Sequence, residues 1–566
     1  MNMTKIKGKI LYWKEWMADV PTVVFCISPF LTGLFYEFSS ALIAMVLLIW
    51  LWRYWKKERR LSYFYSISFI TVGIIFISYL LSVLWAVDRG MAPWGAVKFL
   101  PVPLFVVGLM QLPRKKRNRM LYLLPVLGIF MTILSCLLTF IPSCRDFIMV
   151  NGRMGGFFQY PNTYAMYLLA GLVVLTMHNR MEISGKKFCF QAIILIVGIF
   201  LSGSRTVWVL LVFMILFLCI YYRKKEVLLP IAAAFVGMML IGIFAKTVND
   251  QADGIGRFLT TSFQSSTLLG RFLYMKDAFA EILRHPFGLG YLGYYYKQGS
   301  FQTGVYSVRY VHNDILQIFL DVGWIPGVLL IVCLGKCIFS KYTVIMKKIL
   351  LILFTLHILF DFDLQYMVMW FLLLLCLDVE EEQVRKIKYR NNKTGAAVTV
   401  MGLIILYFGI VMGVSAFSLT DIALTLYPWN TDMQIAALKK VSDPSDMDSI
   451  ASELLLHNQY VSIAWSAKAR AAYAKGNFAE VIEAKQRAIA CNPYSIEEYI
   501  DYADMLRIGI QLYNQTGDTK SADICMKELR DIQKRLNEVK EKTSKLAWKI
   551  QDKPQLDMPE EYFGEK

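Results

Sequence analysis

Apolar runs of about 20 residues, the length of a spanning helix, recur along most of the chain, with short polar blocks between them. Their centres predict about thirteen spans, near Phe25, Val46, Ile75, Phe105, Ile129, Leu169, Leu195, Leu211, Val236, Val322, Leu353, Leu372 and Leu406. The seventh and eighth are nearly continuous and meet at Ser202-Gly203-Ser204-Arg205; the eleventh and twelfth meet at Asp361-Phe362-Asp363. Two long polar segments interrupt the pattern, 246–311 and 419–566. The second keeps helical periodicity and shows no strand-like alternation. The predicted fold is all-α: a polytopic transmembrane bundle over 1–418, which includes the loop 246–311, and a separate helical domain over 419–566.

The polar blocks alternate in charge. With the N-terminal segment, the blocks at 53–60, 114–119, 180–187, 223–225, 336–348 and 385–393 hold roughly 29 Lys and Arg, against about four in the intervening short loops. Basic loops stay in the cytoplasm, so the N-terminus is expected inside and, with an odd number of spans, the C-terminus outside. Met1–Asp19 is basic and polar without a cleavable signal pattern, and the first span is expected to remain as an anchor.

Composition agrees. The chain has 566 residues, 56% hydrophobic and 18% charged, with mean hydropathy +0.46, where a soluble protein carries about 25% charged residues. The net charge of +17 does not point to nucleic acid, because the cations sit in short blocks between apolar runs. Most of the ten cysteines lie in apolar runs, and only Cys491 and Cys525 fall in a polar region, too few for a disulfide framework. The five histidines are scattered without metal-ligand spacing, so no metal is expected; no cofactor is expected either.

An arginine kept in an outer loop runs against the charge bias, and three stand out. Arg153 lies in Asn151-Gly152-Arg153-Met154-Gly155-Gly156, ahead of Pro161-Asn162. The glycines allow close backbone approach, and Asn162 is expected to cap the sixth span's helix. Snorkelling to the interface is the plain alternative for Arg153. Arg205 has apolar helix on both sides, where an ionisable group costs several kcal/mol unless paired or wet; the plain alternative is again a snorkelling end-cap. Arg271 follows Gly270 on a short amphipathic helix in the long outer loop, where a solvated charge is the plain reading.

That loop ends in His285-Pro286-Phe287-Gly288-Leu289-Gly290, read as a tight turn rather than a nucleotide motif because no strand precedes it. His312 then opens the tenth span beside Asn313, Asp314 and Gln317, a polar cluster at a helix mouth suited to proton transfer. Asp361 and Asp363 flank an outer turn; they either orient His312, bind a sugar hydroxyl, or are ordinary turn residues. In the C-terminal domain, Trp465, Tyr473-Ala474-Lys475-Gly476, Phe478 and Asn492-Pro493 are similar to one tetratricopeptide unit, with 497–512 and 521–539 as degenerate partners. Such a domain binds a protein partner.

Taken together, Gly152 to Asn162, Ser202 to Arg205, Gly270-Arg271, His285 to Gly290 and His312-Asn313 through Gly323 resemble, in order and spacing over residues 120–380, the O-antigen ligase and polymerase family of bacterial surface-polysaccharide enzymes. The resemblance implies a C-type glycosyltransferase-like membrane fold without metal or cofactor. It implies transfer of an undecaprenyl-pyrophosphate-linked glycan to an acceptor outside the bacterial cytoplasmic membrane. It places Arg205 and Arg271 on the pyrophosphate and His312 on the acceptor hydroxyl. Arg153, Asn162, Asn313, Asp361 and Asp363 are expected as substrate contacts. The competing expectations are a multi-span lipid or glycan transporter, for which Lys98 beside Pro101 and Pro103 is the main sign, and an envelope scaffold that recruits partners through the helical domain.

Overall fold

The computed structural model describes residues 19–178, 185–222, 266–377, 384–550 and 552–559. Helices dominate, and every expected span centre within these residues falls in one; Val236 and the first part of the loop 246–311 lie outside them. Among the described residues four helices are long and apolar enough to cross a membrane: Glu37–Glu58, Ala92–Met110, Arg114–Thr139 and Lys393–Ala416. The other apolar helices are shorter than a full crossing, among them Ile67–Ser82, Pro161–Met177, Trp324–Phe339 and Met367–Cys376.

The tenth span differs from expectation. Asp314–Val322 ends at Gly323, and a new helix begins at Trp324 and runs to Phe339. Gly323 (φ 91) has a conformation that side-chain-bearing residues rarely adopt, and a Cβ there would sit 2.4 Å from the Pro286 carbonyl oxygen. His312 therefore precedes a separate nine-residue helix rather than the apolar helix Trp324–Phe339. The same crossing explains the glycine motif. Leu289 N–H donates to Leu320 O at 2.5 Å, Gly290 N–H to Asp321 O at 3.0 Å, and Trp324 N–H to Pro286 O at 2.9 Å. A Cβ on Gly288 would meet the Asp321 backbone at 2.8 Å, and one on Gly290 would meet Ala86 at 2.4 Å. The glycines let two backbones pass in contact.

The all-α expectation misses two short antiparallel ribbons. Arg60–Tyr63 pairs with Arg385–Lys388, Arg60 opposite Lys388. Gln111 ties into that ribbon through both backbone groups of Ser62, so three basic loops meet at one end of the bundle. Met149–Val150 pairs with Arg153–Met154 across Asn151 (φ 50) and Gly152 (φ 72). Two positive φ values in an Asn-Gly pair make the two-residue hairpin whose twist matches its strands. Glu37–Glu58 runs from the second ribbon's end of the bundle to the basic end, and Ile345–Ile358 runs back from Lys347 and Lys348. Arg153, Asp361 and His312 thus lie at the end opposite the basic loops.

The C-terminal helices dock on that same end. Buried Asp88, in the turn after Ile67–Ser82, accepts hydrogen bonds from Thr431 Oγ1 at 2.5 Å, Asn458 Nδ2 at 2.8 Å and Met91 N at 2.8 Å. Tyr427 donates to Gly90 O at 2.6 Å. Ser462–Ala474 and Phe478–Cys491 form a helical hairpin that turns at Gly476 (φ 71), followed by Ile496–Thr516 and Thr519–Lys542.

Candidate functional site

Asp361 is the hub. It sits in the turn between Ile345–Ile358 and Met367–Cys376 and is fully buried. Tyr160 Oη donates to its Oδ1 at 2.6 Å, and Asn162 Nδ2 donates to its Oδ2 at 2.7 Å. Arg271 Nη2 stands 3.6 Å from Oδ2, and His312 Nδ1 stands 3.7 Å from Oδ1. The histidine distance is an ion-pair approach rather than a hydrogen bond. Four groups from three separate segments of the chain converge on one carboxylate. Burial alone would raise the Asp361 carboxyl; the Arg271 charge, and after it the His312 imidazole, outweigh this and hold it well below the usual carboxylate range.

Each partner is positioned by its own element. Arg271 lies in the first turns of Ser266–Arg284, and its Nη1 donates to Phe360 O at 2.5 Å, which locks the guanidinium onto the turn that carries Asp361. His312 has φ 54, uncommon for a residue with a side chain, and the surrounding contacts must hold it there. Its ring meets the Phe362 ring edge-on at 4.9 Å. Asn313 caps Asp314–Val322 through Leu316 N at 3.0 Å, and its Nδ2 donates to Leu359 O at 3.0 Å, so it draws the His312 backbone against the Asp361 turn.

Asn162 does not cap its helix. Pro161, which has no N–H to satisfy, takes the first helical position, and Asn162 projects from inside the first turn. There it bridges Asp361 and Arg153, whose Nη2 donates to Asn162 Oδ1 at 2.7 Å. Arg153 Nε also donates to Ser202 O at 2.8 Å, and its side chain covers Gly203 (φ 58). Arg153 therefore braces the Asn-Gly hairpin to the joint where Arg205, half-buried, opens the helix Arg205–Tyr222. Asp363 turns inward and accepts from Thr163 Oγ1 and pairs with buried His357 Nδ1. Of the two turn carboxylates, Asp361 alone faces His312.

Sequence reasoning passed over Tyr160, which donates to Asp361 and stacks on Phe362 at 4.5 Å. It also passed over the Phe360 carbonyl. A tyrosine ahead of a proline reads as an interfacial aromatic, and a backbone carbonyl carries no sequence signal. Among the described residues no group of His, Cys, Asp and Glu is arranged to hold a metal ion.

Residues 190–332 match the family model described as O-antigen ligase. This segment is an O-antigen ligase domain. It contains Arg205, Arg271, His312 and Asn313, whereas Arg153, Asn162 and Asp361 reach the O-antigen ligase domain from outside it. The chain is therefore an integral membrane protein of polysaccharide biosynthesis, built around apolar helices and this domain. No curated protein and no solved structure matches it.

Proposed function

We propose that the protein transfers a glycan from an undecaprenyl-pyrophosphate carrier to an acceptor hydroxyl at the outer face of the cytoplasmic membrane, either as a polymerase of repeat units or as a ligase of finished chains. The observation that carries this reading is the convergence of Arg271 and His312 on Asp361, at the end of the bundle opposite the basic loops. The acceptor oxygen attacks the anomeric carbon as the bond from that carbon to the pyrophosphate oxygen breaks, and the electron pair leaves on the pyrophosphate. Arg271 and Arg205 stabilise that developing charge; guanidinium groups keep their own charge at any working pH and bind phosphate oxygens in pairs. With Nδ1 turned toward Asp361, the Nε2 of His312 is left for the acceptor proton. Asp361 stays ionised and supports the imidazolium that forms. Arg153 and Asn162 position the joint that bears Arg205. The C-terminal domain, docked on the same end, presents the remaining surface to an envelope protein.

The test is the surface-glycan profile of cells that lack the protein, complemented with wild type, Arg205→Ala, Arg271→Ala or His312→Ala. Loss of long polymer with single lipid-linked units accumulating supports a polymerase; long chains retained on the carrier support a ligase. Wild-type profiles from all three variants, at normal membrane levels, would remove the enzyme reading in favour of a transporter or scaffold.

A further inference from the structure

One flank of the site carries buried charge that the transfer step does not use. Lys98 is 2% exposed, its Nζ 3.2 Å from Tyr310 Oη, 3.9 Å from Glu37 Oε1 and 4.9 Å from the centre of the Phe35 ring. Glu37 opens its helix and accepts hydrogen bonds at Oε1 from Tyr291 Oη and, at 3.4 Å, from Arg309 Nη2. Burying Lys98 against the half-buried Glu37 adds little stability over a well-packed apolar pair, because desolvation offsets the attraction. Packing therefore gives no reason for this pair to be here.

The cluster also opens outward. The side chains of Arg309 and Glu37 are 40% and 15% exposed. Beside them exposed Tyr36 donates to Gln159 Oε1 at 2.9 Å. Gln159 has φ 54, a strained backbone immediately before Tyr160. Aromatic rings join this face to the reacting centre: Tyr310 lies 5.5 Å from Phe362, which in turn touches both Tyr160 and His312.

We propose that Tyr36, Glu37, Gln159 and Arg309 form a subsite for a sugar unit of the transferred or accepting glycan, next to the reacting centre. The charges select the ligand class. An anionic group drawn to Arg309 would meet the Glu37 carboxylate, and a cation drawn to Glu37 would meet Arg309 and Lys98. Sugar hydroxyls satisfy both, donating to Glu37 while accepting from Arg309 and Gln159, and the apolar C–H face of the ring covers Tyr36. Lys98 holds this arrangement from behind. The proposal rests on the glycosyl-transfer reading and separates recognition of the glycan from recognition of the pyrophosphate.

The experiment uses the full chain in lipid nanodiscs and two binding probes: farnesyl pyrophosphate, which has no sugar, and the lipid-linked glycan extracted from cells that make the protein. Tyr36→Ala, at an exposed position, and the near-isosteric Glu37→Gln should each weaken the lipid-linked glycan, or raise the KM for the acceptor, about tenfold. Both should leave farnesyl pyrophosphate within about twofold. A loss confined to lipid-linked glycan binding assigns the subsite to the donor; a change confined to acceptor KM assigns it to the acceptor. Equal losses for both probes, or no effect on either glycan, would overturn the subsite. Arg271→Ala is the control for the underlying reading: unchanged farnesyl pyrophosphate binding there would sink pyrophosphate recognition by Arg271 whatever the subsite variants do.

Discussion

The ribbon at the basic end of the helical bundle and the carboxylate cluster at the other end hold their cations in different ways. At one end, Arg385, Lys386 and Lys388 are exposed on a strand of four residues, opposite exposed Arg60. At the other, Arg271 is 13% exposed and Lys98 3%, each beside a carboxylate. Exposed cations on a short ribbon keep most of their hydration and cost the fold little; in basic loops such charges count as topology signals through their number. Buried cations need partners, and each partner must be delivered by a distant stretch of chain. Tyr160, Asn162, Arg271 and His312 all reach Asp361 across large sequence separations. The contrast teaches that in a chain this basic, a cation buried beside a carboxylate from a distant segment is a better candidate for a working residue than an exposed one.

The sharpest way to break this comparison is to remove the hub. Asp361→Ala leaves Arg271 buried beside an empty position, and loss of one partner of a buried pair costs roughly 3–5 kcal/mol. Transfer should fall to background and the solubilised protein should unfold at a lower temperature. Asp361→Asn keeps the shape and removes the charge, so it separates electrostatics from packing. The pH dependence has a definite sign. The folded carboxyl is held below its usual range, so its stabilisation is fully present above the ordinary carboxylate pKa and is lost only as pH falls through the depressed value. The difference in unfolding temperature between wild type and Asp361→Asn should stay constant from neutral pH to about pH 5 and narrow only in stronger acid. A difference that vanishes between pH 7 and 5 would contradict the assigned charge state.

A smaller effect sharpens the same point. Tyr160→Phe removes one hydrogen bond to Asp361 and keeps the stack on Phe362. A net loss of about 1–2 kcal/mol corresponds to a roughly five- to thirtyfold lower transfer rate, with membrane levels unchanged. A wild-type rate would mean that Arg271 and Asn162 alone fix the carboxylate.

How much of this was legible in the sequence follows the same division. Helix positions were, because an apolar run records its own burial without reference to any partner, although among the described residues only four of these helices are long and apolar enough to cross a membrane. Arg271 was visible as a cation against the expected charge bias, His312 as part of a polar cluster at a helix mouth, and Asp361 as one residue of a turn with several readings, but their convergence was not, since each pair is distant in sequence. The capping role expected of Asn162 failed because a local rule was applied to a side chain that a tertiary partner, Asp361, had claimed. The Asn151-Gly152 hairpin carries a strong short-range turn signal, yet its strands are two residues each, too short to show an alternating pattern. The break at Gly323 was hidden because apolar residues on both sides gave one continuous run, and the need for glycine came from the Pro286 backbone crossing it.

The smallest expected effect tests the other side of the contrast. Lys386→Ala and Lys388→Ala remove exposed charges from the basic ribbon. Surface substitutions of this kind change stability by within about 0.5 kcal/mol. The transfer rate should stay within about twofold of wild type, since at this distance a charge exposed to salt water is screened over roughly 8–10 Å. If these residues act as topology signals, each is one of several cations on that side, and a single replacement should leave the orientation of both termini unchanged when measured by labelling from outside the cell. A tenfold loss of transfer in either variant would show that the basic end is coupled to the reacting centre, and burial would then no longer separate the working cations from the topological ones.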